Sequence, residues 1–163
     1  MPILPDLLQP NLKVIFCGTA VSNESAGLGY YYASSNNQFW SILHKTGLTP
    51  CQLSPQEYPK LLEYGIGLTD LVKEHSGNDN DLAEETFDLP EFRHKIWEYQ
   101  PKVVAFNGKK AAEAFFNHTV NYGLQPDKVG TSAVFVLPST SGSARRYWDE
   151  TFWEALGEFL KTN

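Results

Sequence analysis

Cysteine is scarce in this chain of 163 residues, which has only Cys17 inside an apolar run and Cys51 in a loop-like stretch. Two thiols so placed supply neither a disulfide framework nor a zinc site, and they predict a reduced, intracellular protein. Basic residues are also few: 13 Lys and Arg stand against 19 Asp and Glu, for a net charge of -6. Affinity for nucleic acid of any sequence comes mainly from neutralising phosphates, so this balance excludes indiscriminate coating of DNA but leaves room for a local basic surface. The opening "MPILPDLLQPNL" lacks a basic leader, and no apolar run is long enough to span a bilayer, so a cytoplasmic protein without membrane association is expected. GxGxxG and GxxxxGK[ST] are both absent, which leaves dinucleotide and triphosphate binding without support. His44, His75, His94 and His118 show no metal-ligand spacing with Cys or carboxylates and are assigned to the surface or to helix ends; neither metal nor cofactor is predicted.

An apolar content of 42% is ample for one self-sufficient core, and residues 1–163 read as a single domain without repeats. Three apolar runs, "LKVIFCG", "KVVAFNG" and "SAVFVLPST", read as buried parallel strands that end in small or polar residues. Helices are predicted from "NNQFWSILHKTG", with an Asn near its N-cap, and from "SPQEYPKLLEYG", where Ser54, Pro55 and Glu57 open the helix, Gly65 closes it and Pro59 disturbs it. A loop over Gly77 to Asp81 leads to a helix in "PEFRHKIWEYQP", which must stop before Pro101, and "KKAAEAFF" supplies another. "ARRYWDETFWEALGEFLK" reads as one last helix whose apolar stripe includes Tyr147, Trp148, Phe152 and Leu156. Trp97, Trp148 and Trp153 are assigned to the core.

Alternating strands and helices predict a three-layer α/β fold, with a mainly parallel sheet of four to five strands and helices on both faces. Ligands bind such sheets beyond the carboxyl ends of the strands. That rule singles out "CGTAVS", "FNGKK" and "LPSTSGSARR", where backbone donors and hydroxyls can meet a polar ligand.

Over nearly its whole length the sequence resembles the mismatch-specific uracil-DNA glycosylases of the uracil/thymine-DNA glycosylase superfamily. The resemblance runs from "PDLL.PNL.VIFCG" through "SAG.G", "N.FW..L...GLTP.QL.P.E", "G.G.TDLV" and "GK.A" to "LPSTSG". It implies a glycosylase fold, uracil- or mismatch-containing DNA as partner, and hydrolysis of the base–sugar bond without lyase chemistry. It further implies a monomer with no obligate protein partner, associated with the nucleoid in a prokaryote. Two departures mark a divergent branch. Where the family has "GINPG", whose Asn positions the attacking water, this chain has "GTAVS", with Ala20 in the place of that Asn. Where the family has "NPSG" followed by an intercalating wedge, this chain has "STSG".

The resemblance places Tyr32 as the aromatic that stacks on an extruded base, and Asn37 beside the base pocket with Thr19 and Ser22. Tyr32 can equally be a rim aromatic that packs a loop, and Asn37 a helix cap. With no amide at position 20, Asp70 in "GLTDLV" is the preferred residue to orient water from a Gly-rich loop; Ser22, Asn23 and Glu24 compete, and a capping role for Asp70 stays open. Ser139, Thr140, Ser141, Gly142 and Ser143, with Arg145 and Arg146 at the start of the last helix, form the predicted DNA contact. Arg145 is placed as the wedge; the alternative is an arginine pair bound to Asp149 and Glu150. Lys109 and Lys110 add phosphate contacts from a helix N-terminus. Removal of another deaminated base such as hypoxanthine, binding of lesions without turnover, and small-molecule chemistry on the same scaffold are the competing functions.

Overall fold

The computed structural model describes residues 3–77 and 87–162; positions 78–81 of the expected loop lie outside them. Five strands, β1 (Val14–Gly18), β2 (Ile66–Asp70), β3 (Val103–Asn107), β4 (Gly123–Leu124) and β5 (Ala133–Leu137), form one sheet in the order β2-β1-β3-β5-β4. All pairings are parallel except that of the short β4 with β5. The chain moves from β1 to β2 on one side and then crosses to β3 on the other, which makes the carboxyl ends of β1 and β3 the switch point where a crevice opens.

Alternation along the strands builds a core on each face. Val14 and Phe16 of β1, Val103 and Ala105 of β3, and Phe135 and Leu137 of β5 pack with α2 (Phe39–Lys45) and α5 (Glu150–Thr162). Ile15, Cys17, Val104, Phe106, Val134 and Val136 face the opposite way, against α3 (Leu89–Tyr99) and α4 (Lys109–Phe116). Phe16 is fully buried between Phe39, edge-on at 5.3 Å, and Trp153, stacked at 5.5 Å. Burying such a ring contributes roughly 2–3 kcal/mol.

Several local expectations change. "GLTD" is strand, not loop: Asp70 is the last residue of β2, paired in register with Gly18. Residues Pro55–Tyr64 wind as a 3-10 helix around Pro59, which cannot supply the amide of a continuous α-helix; Glu57 Oε1 accepts the Ser54 N–H at 3.0 Å and Gly65 closes the segment at φ 78. The expected last helix is two pieces. A 3-10 turn over Gly142–Tyr147 ends before α5, whose first turn is held by Asp149 Oδ1 accepting Thr151 N–H at 3.0 Å. Asp149 takes the capping position because Asp competes well for exposed amides there. Tyr147 therefore leaves the apolar stripe and is 55% exposed. Trp97 is also outside the core, at 71% exposure on the outer face of α3 beside His94. A short helix not foreseen from the sequence, α1 (Asn23–Leu28), follows β1.

Candidate active site

β1, β2, β3 and the segment after β5 end at the same edge and line a cavity of about 910 Å³. Its floor holds Gly18, Asp70 and Tyr32. Asp70 is 5% exposed. Its Oδ2 lies 3.3 Å from Lys73 Nζ, and its Oδ1 lies 3.1 Å from where a Cβ on Gly18 would stand. A side chain at position 18 would press on this carboxylate, so the glycine is a packing requirement. Burial raises the Asp70 carboxyl above the ordinary carboxylate range and outweighs the opposing pull of Lys73.

Tyr32 is held by the "NxFW" element. Asn37 Oδ1 accepts the N–H of Phe39, the first residue of α2, at 3.0 Å. Phe39 then stacks on Tyr32 at 4.0 Å and 24°, and Trp40 Nε1 donates to the Tyr32 carbonyl at 3.0 Å. These contacts hold Tyr32 in the left-handed region at φ 51, a conformation that an aromatic residue adopts only when its surroundings over-determine it. Burial and the nearby Asp70 push the Tyr32 hydroxyl up, with a hydrogen bond to Asn107 opposing them, so it remains a neutral group. Asn37 stands one residue ahead of the N-cap position, which Gln38 takes, and it lines the cavity.

Thr19, Ala20 and Ser22 line the same cavity. Thr19 is buried and its carbonyl accepts Val72 N–H at 2.7 Å. Ser22 is the N-cap of α1, with its hydroxyl accepting Ser25 N–H at 3.1 Å, so that oxygen is committed to the backbone. Ala20 offers only a methyl group and its backbone.

On the far wall, Asn107 at the end of β3 grips Thr140: Oδ1 accepts Thr140 N–H at 3.0 Å and Nδ2 donates to Thr140 Oγ1 at 3.0 Å. Thr140 is 1% exposed, so this hydroxyl anchors the loop and is not a phosphate contact. Ser139 Oγ accepts Ser141 N–H at 3.2 Å, and the Ser141 and Ser143 hydroxyls lie 2.9 Å apart. Gly142 packs on Asn36; a Cβ there would lie 2.6 Å from the Asn36 carboxamide.

The mouth carries cations and aromatic rings. Lys109 Nζ sits 4.4 Å from the Tyr122 ring centroid, and the Arg146 guanidinium lies 4.8 Å from that of Tyr147. Arg145 does not border the cavity: Arg145 Nη2 donates to the Asn36 carbonyl at 3.3 Å. Neither arginine pairs with Glu150, which binds Lys45 at 2.7 Å. Lys110 also lies away from the cavity lining.

Sequence reasoning brought Thr19, Ala20, Ser22, Tyr32, Asn37, Asp70, Lys109 and residues 139–143 toward one place, and the fold puts them on one cavity. It singled out "FNGKK" without giving Asn107 a role, and it missed Tyr147 and Lys73. Asn107 had a signal, a polar residue ending the apolar run "VVAFN"; Tyr147 was hidden by helical spacing that the 3-10 turn interrupts.

By sequence, residues 5–160 match the Uracil DNA glycosylase superfamily. By structure, the chain is similar to a candidate uracil DNA glycosylase from Methanosarcina acetivorans solved by solution NMR, with 24% identity, a TM-score of 0.68, and coverage of 97% of this chain and 96% of that one.

Proposed function

Because this chain belongs to the uracil DNA glycosylase superfamily, we propose that it hydrolyses the N-glycosidic bond of uracil in DNA and leaves an abasic site. The observation that carries this reading is the meeting of the Asp70 carboxylate and the Tyr32 ring on the floor of one cavity whose mouth bears Lys109 and Arg146. A base within a duplex presents neither its edge nor its glycosidic bond to a protein, so the nucleotide must be turned out into the cavity. Tyr32, backed by Phe39, stacks on it there. Asn37 has its carbonyl oxygen committed to the Phe39 N–H and offers its amide N–H as a donor to the base edge.

In the reaction the bond from C1′ to the base nitrogen breaks and its electron pair leaves with the base. Water adds to C1′, and the proton it loses passes to Asp70. The ionised Asp70 orients that water and stabilises the cationic sugar, the task for which Ala20 has no functional group. Lys73 is bound to carboxylates that raise its pKa against the effect of burial, so it stays protonated, which supports hydrolysis without an amine nucleophile. We place the enzyme as a single-domain monomer that works on chromosomal DNA in the cytoplasm.

The test is incubation with end-labelled duplexes that carry uracil, hypoxanthine or thymine opposite each partner base, followed by alkali. Strand scission at uracil, lost in Asp70→Asn, is expected. Scission only at hypoxanthine would reassign the base, and tight binding without abasic product would replace the enzyme with a lesion binder.

A further inference from the structure

Behind the cavity floor lies a chain of charges that the reaction above does not use. Lys73 Nζ contacts Asp70 Oδ2 at 3.3 Å, Asp6 Oδ1 at 3.0 Å and the Tyr31 hydroxyl at 2.9 Å. Asp6 is held in turn by Lys95 at 2.6 Å and by the Thr69 hydroxyl at 2.8 Å. Tyr31 donates its own proton to the Pro5 carbonyl at 3.0 Å. Lys73, Asp6 and Lys95 are all mostly buried. A second cavity, of about 430 Å³, borders this network and shares Asp70 with the first.

We propose that Lys73 is a positioning residue for Asp70: its ammonium, fixed from behind by Asp6 and Tyr31, captures Asp70 Oδ2 and leaves Oδ1 turned toward the end of β1, where water meets the sugar. The inference rests on the reading of Asp70 as the water-orienting carboxylate. Three geometric facts support it. The two Asp70 oxygens have different surroundings, one against Lys73 and the other against the Gly18 backbone. Lys73 has partners on three sides, so its own position is over-determined. Finally, those partners come from the N-terminal segment and from the loop after α1, so the clamp does not depend on β2 alone.

Titratable groups face Asp70 from every element around it. From β1 comes the buried Cys17 thiol, held neutral by burial and by Asp70 itself. Tyr32 and Tyr31 come from the loop after α1, and their hydroxyls are likewise pushed up. Asp6 from the N-terminal segment disfavours the anion, while Lys73 and, more weakly, Lys95 from α3 favour it. Lys73 is thus the principal group keeping a carboxylate charged in a site where burial favours the neutral acid.

The experiment is single-turnover excision from a uracil duplex, from about pH 5 to about pH 9, by wild type, Lys73→Met, Lys73→Arg, Asp6→Asn and Asp70→Asn. Lys73→Met should move the acid limb of the rate profile up by about one pH unit or more, a tenfold loss at its acid end. Lys73→Arg should restore the limb, and Asp6→Asn, which removes a negative charge that disfavours the Asp70 anion, should not raise it. Melting temperatures under the same conditions report on folding. NMR titration of the aspartate carboxyl carbons reads Asp70 directly and needs no turnover; the same upward shift in Lys73→Met is expected. An unchanged acid limb and an unchanged Asp70 titration in Lys73→Met would overturn the proposal, the salt bridge then being only structural. Full activity of Asp70→Asn would instead overturn the reading of Asp70 on which it rests.

Discussion

Asn107 and Thr140 are joined twice, each bond 3.0 Å long, so that the end of β3 and the loop after β5 share one rigid wall of the cavity. The buried Thr140 N–H has its partner in Asn107. Asn107→Ala is therefore expected to cost about 1–3 kcal/mol of stability, the penalty for a buried donor left unpaired. It should also slow base excision about tenfold or more by freeing residues 139–143. Asn107→Asp, which keeps the acceptor for Thr140 N–H, should recover much of both. Urea denaturation and single-turnover kinetics measured together check the pair.

Gly18→Ala puts a methyl group 3.1 Å from Asp70 Oδ1. The carboxylate must yield by a few tenths of an ångström, and a small displacement of a reacting group can lower the rate a hundredfold. The expected result is an excision rate reduced by about tenfold to a hundredfold, with affinity for uracil-containing duplex unchanged. A fall in affinity equal to the fall in rate would place Gly18 against the base and not against the carboxylate.

Tyr32→Ala should weaken binding of an extruded base by about 1–3 kcal/mol, the usual worth of one stacked aromatic. Tyr32→Phe keeps the ring and its contact with Phe39, and should bind as wild type does. Titration with a duplex carrying a non-cleavable uracil nucleotide distinguishes the two; equal losses would assign the effect to the hydroxyl.

Lys109 and Arg146 stand at the cavity mouth, whereas Arg145 Nη2 is turned to the Asn36 carbonyl. Alanine at position 109 or 146 should weaken binding to all duplexes alike and lower the salt dependence of log K by about one ion each. Arg145→Ala should leave that slope nearly unchanged. Binding isotherms at several salt concentrations decide the matter.

Asp6 governs stability at acid pH. Burial opposes its ionisation, but Lys73, Lys95 and Thr69 more than offset it and hold the carboxyl below its ordinary value of 3.8. A depressed folded-state pKa contributes stability that is complete above the unfolded value and is lost as pH falls through the folded one. Wild type should therefore lose stability below about pH 4, and Asp6→Asn should show a lower melting temperature at neutral pH with a shallower decline in that range. Asp70 has the opposite sign: its raised carboxyl favours the folded state most at low pH, and that contribution fades as pH rises through the folded value.

Much of the frame can be read from local pattern. "VIFCG", "VVAFN" and "AVFVL" are apolar up to their last residues because both faces of a parallel strand are covered, and each became a strand with alternate residues in different cores. β2 escaped because "IGLTD" mixes glycine and polar residues; Gly67 is required there since a Cβ would meet the Leu7 carbonyl at 2.7 Å, and the Thr69 hydroxyl is satisfied by Asp6. The split before α5 escaped because Tyr147, Trp148 and Phe152 keep helical spacing across a turn that Asp149 ends.

Composition and periodicity settle which runs are dehydrated and in what conformation, since those are properties of neighbouring residues: β1, β3, β5, α2, α3, α4 and the order of polar strand ends all follow from them. Which polar atoms meet is a different matter. Asp70 finds Lys73 within one turn of chain, but Asp6 and Tyr31 reach the same ammonium, and Lys95 reaches Asp6, only because β2 lies at the sheet edge beside β1, with the N-terminal segment paired to it through Leu7 and Leu68. Likewise Arg146 and not Arg145 borders the cavity through the way the 3-10 segment, kinked at Ala144 (φ -108, ψ 15), sets the rotation of its side chains. Local patterns carry no information on sheet order or on that rotation, and the chemistry of the site depends on both.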